Sequence, residues 1–182
     1  MPEGRYAGIV LLVEGWEDAR FMRAWLIKHL NVDHRNIRDN ISPKGGGAAE
    51  QYVRERFPVE AALHRQNSAK RGSLLIAVID ADKKTFEERY NALIESINDR
   101  TGVFVFVPKR HMETWLRALN GFLPVDEDTD IKGKRLEHGD AWDAGLKFLE
   151  LIRSATTKDL LPSLQSAVKE AKAMPREYKR HN

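Results

Sequence analysis

Short apolar runs of strand length alternate with amphipathic stretches of helical spacing along this chain, and that alternation restricts its fold more than any other feature. Gly8 to Val13 is almost wholly aliphatic, as expected of a strand covered on both faces in a parallel sheet. Met22, Trp25, Leu26 and Leu30 then recur at three- and four-residue steps, with Glu17, Asp18, Arg20, Arg23 and Lys28 on the polar side. Leu74 to Ile79 and Val103 to Val107 are two more apolar runs. Phe86, Tyr90, Leu93, Ile94 and Ile97 follow the first at helical spacing, and Met112, Trp115, Leu116 and Leu119 follow the second. A weaker strand falls at Asn36 to Ile41. Ala48 to Leu63 reads as a helix kinked or restarted at Pro58, and Gln66 to Gly72 as a polar segment. The order predicts an α/β, Rossmann-like fold of about four mostly parallel strands with helices on both faces.

Beyond that core, Val125 to Gly139 is polar and expected to be a loop, and Trp142 to Ile152 and Leu160 to Ala173 have helical spacing. These C-terminal helices are expected to cap the sheet or to form an interface, with a basic, loosely ordered tail from Met174 to Asn182. At 182 residues one domain is expected, with 1–122 as its core and 123–182 packed on it. No apolar stretch approaches the roughly 18 residues that a membrane helix needs. The chain opens without the basic, apolar and small-residue series of a secretory signal and contains no Cys, so a cytoplasmic protein without disulfides or thiolate metal sites is expected. The net charge of +3 permits nucleic-acid binding without requiring it.

Chemistry concentrates where two apolar runs end. Leu74 to Ile79 finishes in Asp80-Ala81-Asp82, and Ile9 to Val13 finishes in Glu14. In an open parallel sheet, ligands bind beyond the carboxyl ends of the strands. Asp80 and Asp82 reach one side of the sheet if the backbone stays extended through Ala81. Asp18, one helical turn past Glu14, can point back to the same crevice. Any one of these acids alone reads equally well as a helix cap or a solvated loop residue. Together they would repel one another unless a cation lay between them, and hard oxygen donors select Mg2+ or Mn2+ over zinc.

Val13-Glu14-Gly15 opening a helix, with Asp18 following, and Ile79-Asp80-Ala81-Asp82 resemble the Toprim domain of topoisomerases, bacterial primases and OLD-type (overcoming lysogenization defect) nucleases. Val107-Pro108-Lys109-Arg110-His111-Met112-Glu113-Thr114-Trp115-Leu116 is similar to a segment of small stand-alone Toprim proteins from bacterial defence loci. The likeness spans Gly8 to Leu119. It implies a Toprim-type fold and a two-metal phosphodiester cleavage site, with Glu14 as ligand or general acid/base, Asp80 and Asp82 as ligands and Asp18 as a further ligand. The implied activity is an Mg2+- or Mn2+-dependent endonuclease acting on DNA or RNA in anti-phage defence. No ATPase segment is recognisable, so the resemblance implies a protein acting alone or with a separately encoded ATPase. A non-catalytic or regulated subunit of an ATPase complex is the alternative.

Other positions leave two readings open. Glu113 either faces the crevice as an extra metal ligand or pairs with Arg110 or Arg117. Lys109 and Arg110, just past a strand end, either neutralise phosphate charge or form a solvated basic turn. Lys44-Gly45-Gly46-Gly47 precedes a helix and could face a phosphate, but it lacks P-loop spacing and reads better as a flexible turn. The six histidines show no paired metal spacing. His111 alone lies near the proposed site, and the others are expected at the surface. A receiver-like domain or a glycosyltransferase would leave the Val-Glu-Gly and Asp-x-Asp pairing unexplained.

Overall fold

A computed structural model describes residues 8–43, 45, 47–122, 126–129, 139–156 and 159–175. Four strands form one sheet: β1 (Gly8–Val13), β2 (Ile37–Ile41), β3 (Ser73–Val78) and β4 (Val103–Phe106). Their order is β2-β1-β3-β4 and every pairing is parallel. Six α-helices accompany them among the described residues: α1 (Trp16–His29), α2 (Gly47–Arg71), α3 (Phe86–Ile94), α4 (Met112–Leu119), α5 (Ala141–Arg153) and α6 (Pro162–Ala173). The expected α/β, Rossmann-like architecture is therefore present.

Side-chain alternation along the strands divides the core into two layers. Ile9, Leu11 and Val13 of β1 and Leu74, Ile76 and Val78 of β3 pack with Met22 and Trp25 of α1, Trp115 of α4, Phe148 of α5 and Val168 of α6. Leu12, Leu75, Ala77 and Ile79 turn the other way, onto Val53 and Phe57 of α2 and Leu93 of α3. A strand covered on both sides must be apolar at consecutive positions, which is why β1 and β3 read as continuous runs. The chain leaves β1 for β2 on one flank and returns to β3 on the other. The crevice where that direction reverses lies between the carboxyl ends of β1 and β3.

The second helix departs from its expected limits. It does not stop at Leu63 but runs unbroken through Pro58 to Arg71, taking in most of the segment read as polar. Val53, Phe57, Ala61 and His64 are buried at steps of four, four and three, so the stripe that holds the helix to the sheet continues past the proline. His64 is accordingly not a surface residue. Its Nε2 lies 3.1 Å from Thr101 O, its Nδ1 3.0 Å from Ser73 Oγ, and burial lowers its pKa. His29, also expected at the surface, is half-buried against Trp25.

The C-terminal helices share the core of the sheet. Phe148 of α5 meets Phe21 and Trp25 of α1 at ring-centroid distances of 5.4 Å each. Gly145 permits this approach, because a Cβ there would stand 2.4 Å from Phe21 O. On the far edge, Glu170 of α6 accepts the Val105 N–H of β4 at 3.1 Å and so covers part of an open strand edge.

Candidate functional site

Hydrogen bonding between β3 and the chain beyond β4 outlasts the strands themselves. Ile79 N–H donates to Phe106 O at 3.1 Å and Ala81 N–H to Pro108 O at 2.9 Å. The backbone thus stays extended through Ala81, and Asp80 falls on the α1 side by alternation. Asp82 then turns the chain away with φ of 53°, a left-handed conformation that Asp tolerates better than most residues.

Three carboxylates at the crevice each accept a backbone N–H. Glu14 Oε1 accepts from Asp80 N at 2.7 Å, tying the end of β1 to the end of β3. Asp80 Oδ1 accepts from Met112 N at 3.0 Å, at the positive end of α4. Asp18 Oδ2 accepts from Gly15 N at 2.9 Å, across the first turn of α1. Asp18 and Asp80 are buried and Glu14 is half-buried.

Burial pushes the Asp18 carboxyl well above its ordinary range, and the charges of Asp80, Glu14 and Glu113 raise it further against the opposing Gly15 hydrogen bond. Glu113 therefore acts on this cluster from α4, whichever basic neighbours it also meets. Asp82 joins through an imidazole: His111 Nδ1 lies 3.4 Å from Asp82 Oδ1 and 3.6 Å from Asp80 Oδ2. The structure thus brings Glu14, Asp18, Asp80 and Glu113 into one electrostatic group, with Asp82 bordering it through the buried His111.

Sequence spacing gives His111 no role of its own, and its place between a strand end and the start of α4 is the one local signal for it. Lys109 and Arg110 stand at the same strand end, and both contact Asp128: Lys109 Nζ at 2.8 Å from its Oδ1 and Arg110 Nε at 2.9 Å from its backbone O. Lys44 lies outside the described residues, as do most of the expected loop and the tail beyond Pro175.

The donor chemistry suits a divalent cation: four hard carboxylates, with ionisation of Asp18 disfavoured first by burial and then by the charges of the other three. As the side chains stand, no group of three or more His, Asp or Glu among the described residues is arranged to hold one. Holding a metal would require carboxylates now bonded to backbone N–H groups to reorient. Among the described residues, no helix is long and apolar enough to cross a membrane.

Fold and site together define an α/β protein with an acidic crevice at the switch point of a parallel sheet. Comparison with known proteins returned no matching family model, no matching curated protein and no matching solved structure.

Proposed function

We propose that this chain is a Toprim-type, Mg2+- or Mn2+-dependent nuclease that cleaves phosphodiester bonds of DNA or RNA. The observation that carries the reading is the convergence of Glu14, Asp18, Asp80 and Glu113 at the switch-point crevice, with the ionised form of Asp18 disfavoured by burial and further by the other three. Glu14, Asp18, Asp80 and Asp82 would hold the metal, with Glu113 as a further oxygen donor. Cations held by these residues would supply an activated water and stabilisation of the departing oxygen. Glu14 is placed by β1 to hold or pass a proton beside Asp80, and the Met112 N–H fixes the Asp80 carboxylate. His111 orients the Asp82 side, and Lys109 and Arg110 supply positive charge for the phosphate.

The test is cleavage of supercoiled plasmid, single-stranded DNA and RNA in Mg2+, Mn2+ or EDTA, beside an Asp80→Asn/Asp82→Asn variant. Asparagine at 80 keeps an oxygen for the Met112 N–H, so the variant probes charge rather than folding. Metal-dependent cutting by the wild type alone is expected, and equal behaviour of the two proteins would sink the catalytic reading. A second reading is favoured by the absence, among the described residues, of a donor trio arranged for metal. It makes the chain a non-catalytic or regulated subunit of a separately encoded ATPase. Calorimetric titration with Mn2+ separates the two, since an idle site takes up no metal at millimolar concentration.

A further inference from the structure

Lys109 and Arg110 leave the end of β4 beside the crevice, where a phosphate group would need positive charge, yet the chain itself already engages both. Among the described residues, a single one hydrogen-bonds both. Asp128 offers its carboxylate to Lys109 at 2.8 Å and its backbone carbonyl to Arg110 at 2.9 Å. Two oxygens set against two cations reproduce what a phosphodiester would present.

The turn that carries Asp128 is anchored from below. Asp126 accepts from Asp128 N at 2.9 Å and from Thr129 Oγ1 at 3.1 Å, which shapes the turn. Glu127 between them is buried, accepts Ser163 N–H at 3.1 Å and also the Ser163 hydroxyl, and so caps the start of α6. Ser163 Oγ in turn accepts from Trp115 Nε1 of α4 at 2.6 Å. The anchor is sequestered while the Asp128 side chain is 69% exposed and Lys109 is 40% exposed. That contrast describes a fixed turn with an exchangeable contact at its tip. Asp128, together with Glu127 and Asp126, also holds the Lys109 ammonium above its ordinary range.

We propose that Lys109 and Arg110 form a phosphate-contact site for a nucleic-acid backbone, and that Asp128 occupies it as a built-in competitor which an incoming strand displaces. The inference rests on the nucleic-acid reading given above. An exposed ion pair is weak enough to yield to a strand whose binding also releases counterions. It lowers the apparent affinity of any anion at the pair by the same few-fold factor. The competitor therefore attenuates binding rather than blocking it.

The test is a double-mutant cycle read by fluorescence anisotropy, with a short fluorescein-labelled single-stranded oligodeoxynucleotide as the probe. It is run in EDTA at low salt so that cleavage does not enter. Asp128→Asn is expected to tighten binding about twofold to fivefold, the range an exposed pair can supply. Lys109→Ala/Arg110→Ala is expected to weaken binding, and adding Asp128→Asn to it to change nothing further. Unchanged or weaker binding by Asp128→Asn overturns the proposal. So does equal tightening in the Lys109→Ala/Arg110→Ala background, which would mark a general charge effect, and so does an absence of binding by every variant. Inorganic phosphate is the competing arm: displacement of the probe at matched phosphate concentration would assign the pair to free phosphate and overturn the strand assignment. Circular dichroism confirms that each variant is folded. Cleavage is scored separately, so a flat cycle in a protein that cuts refutes only the role of Asp128. A clear cycle in a protein that does not cut refutes only the nuclease reading.

Discussion

Replacing Gly145 by alanine sets two physical effects of opposite sign against each other. Alanine is favoured over glycine inside a helix by about 1 kcal/mol, so helix propensity alone predicts that Gly145→Ala stabilises α5. Packing says otherwise. The new Cβ would stand 2.4 Å from Phe21 O and 2.7 Å from Ala24 Cβ. Neither neighbour is the movable tip of a long side chain, so α1 and α5 must part by about 1 Å to restore ordinary contact. A gap of that order forfeits roughly a quarter to a half of each dispersion contact it opens, here those of Phe21, Trp25 and Phe148. With overpacking costs of about 1–3 kcal/mol, and rigid backbone as the obstacle, the upper end applies and the net loss is about 2 kcal/mol. For a chain of this size that lowers Tm by about 4–8 °C. Gly47→Ala is the control, because its Cβ meets nothing within 4 Å and its backbone is not left-handed. Urea and thermal unfolding of both variants are the assays. The control should match or exceed the wild type. A Gly145→Ala protein as stable as the wild type would refute the claim that backbone contact sets the α1–α5 spacing.

Four further outcomes follow from particular groups. Burial lowers the His64 pKa, so its contribution is complete above the unfolded value of about 6.5 and is lost as pH falls toward the folded one, at up to about 1.4 kcal/mol per unit. Urea midpoints between about pH 7 and pH 5 should drop in the wild type more steeply than in His64→Gln, and parallel slopes would refute this. Asp18→Asn removes a buried charge repelled by three others and should raise metal-free stability by about 1 kcal/mol, read as Tm in EDTA. Glu170→Ala leaves the Val105 N–H of the β4 edge without its acceptor, and should cost about 1–2 kcal/mol and promote association on size-exclusion chromatography, whereas Glu170→Gln should do neither. Glu14→Ala should lose about 1–2 kcal/mol by stranding the Asp80 N–H, while Glu14→Gln keeps most of the stability; on the nuclease reading, both lose metal-dependent cleavage.

Fold class was legible because strands buried on both faces cannot avoid apolar residues at consecutive positions, and the helices between them need one apolar stripe. The reading failed where a stripe was carried by an ambiguous residue. His64 continues the spacing of Val53, Phe57 and Ala61, but imidazole is as common at surfaces as inside, so spacing of apolar residues alone ends the helix at Leu63. Glu14, Asp80 and Asp82 were visible as carboxylates at strand ends, since strand limits need only local sequence and ligands bind beyond the carboxyl ends of parallel strands. Asp128 was not, because its contact with Lys109 and Arg110 depends on where Glu127 is anchored. That anchor joins Ser163 of α6, 36 residues away, through a hydrogen bond that no local spacing encodes.

Backbone hydrogen bonds at the crevice bear on how any variant of the site should be judged. Glu14 joins the ends of β1 and β3, Asp80 joins β3 to α4, and Asp18 closes the first turn of α1. The same oxygens that the nuclease reading assigns to metal thus hold three elements together and cap a fourth in the metal-free protein. Removing one of these carboxylates as alanine deletes a charge and an acceptor at once, and an inactive product would be expected even from a purely structural site. Only the amide variants, which retain an acceptor oxygen while losing the charge, separate the two roles. Asp18 sharpens the point, because its charge is disfavoured by its surroundings while its N–H contact is not. On the nuclease reading a bound cation would offset that cost, so Asp18→Asn should stabilise the metal-free protein and abolish the stabilisation that added Mn2+ gives the wild type.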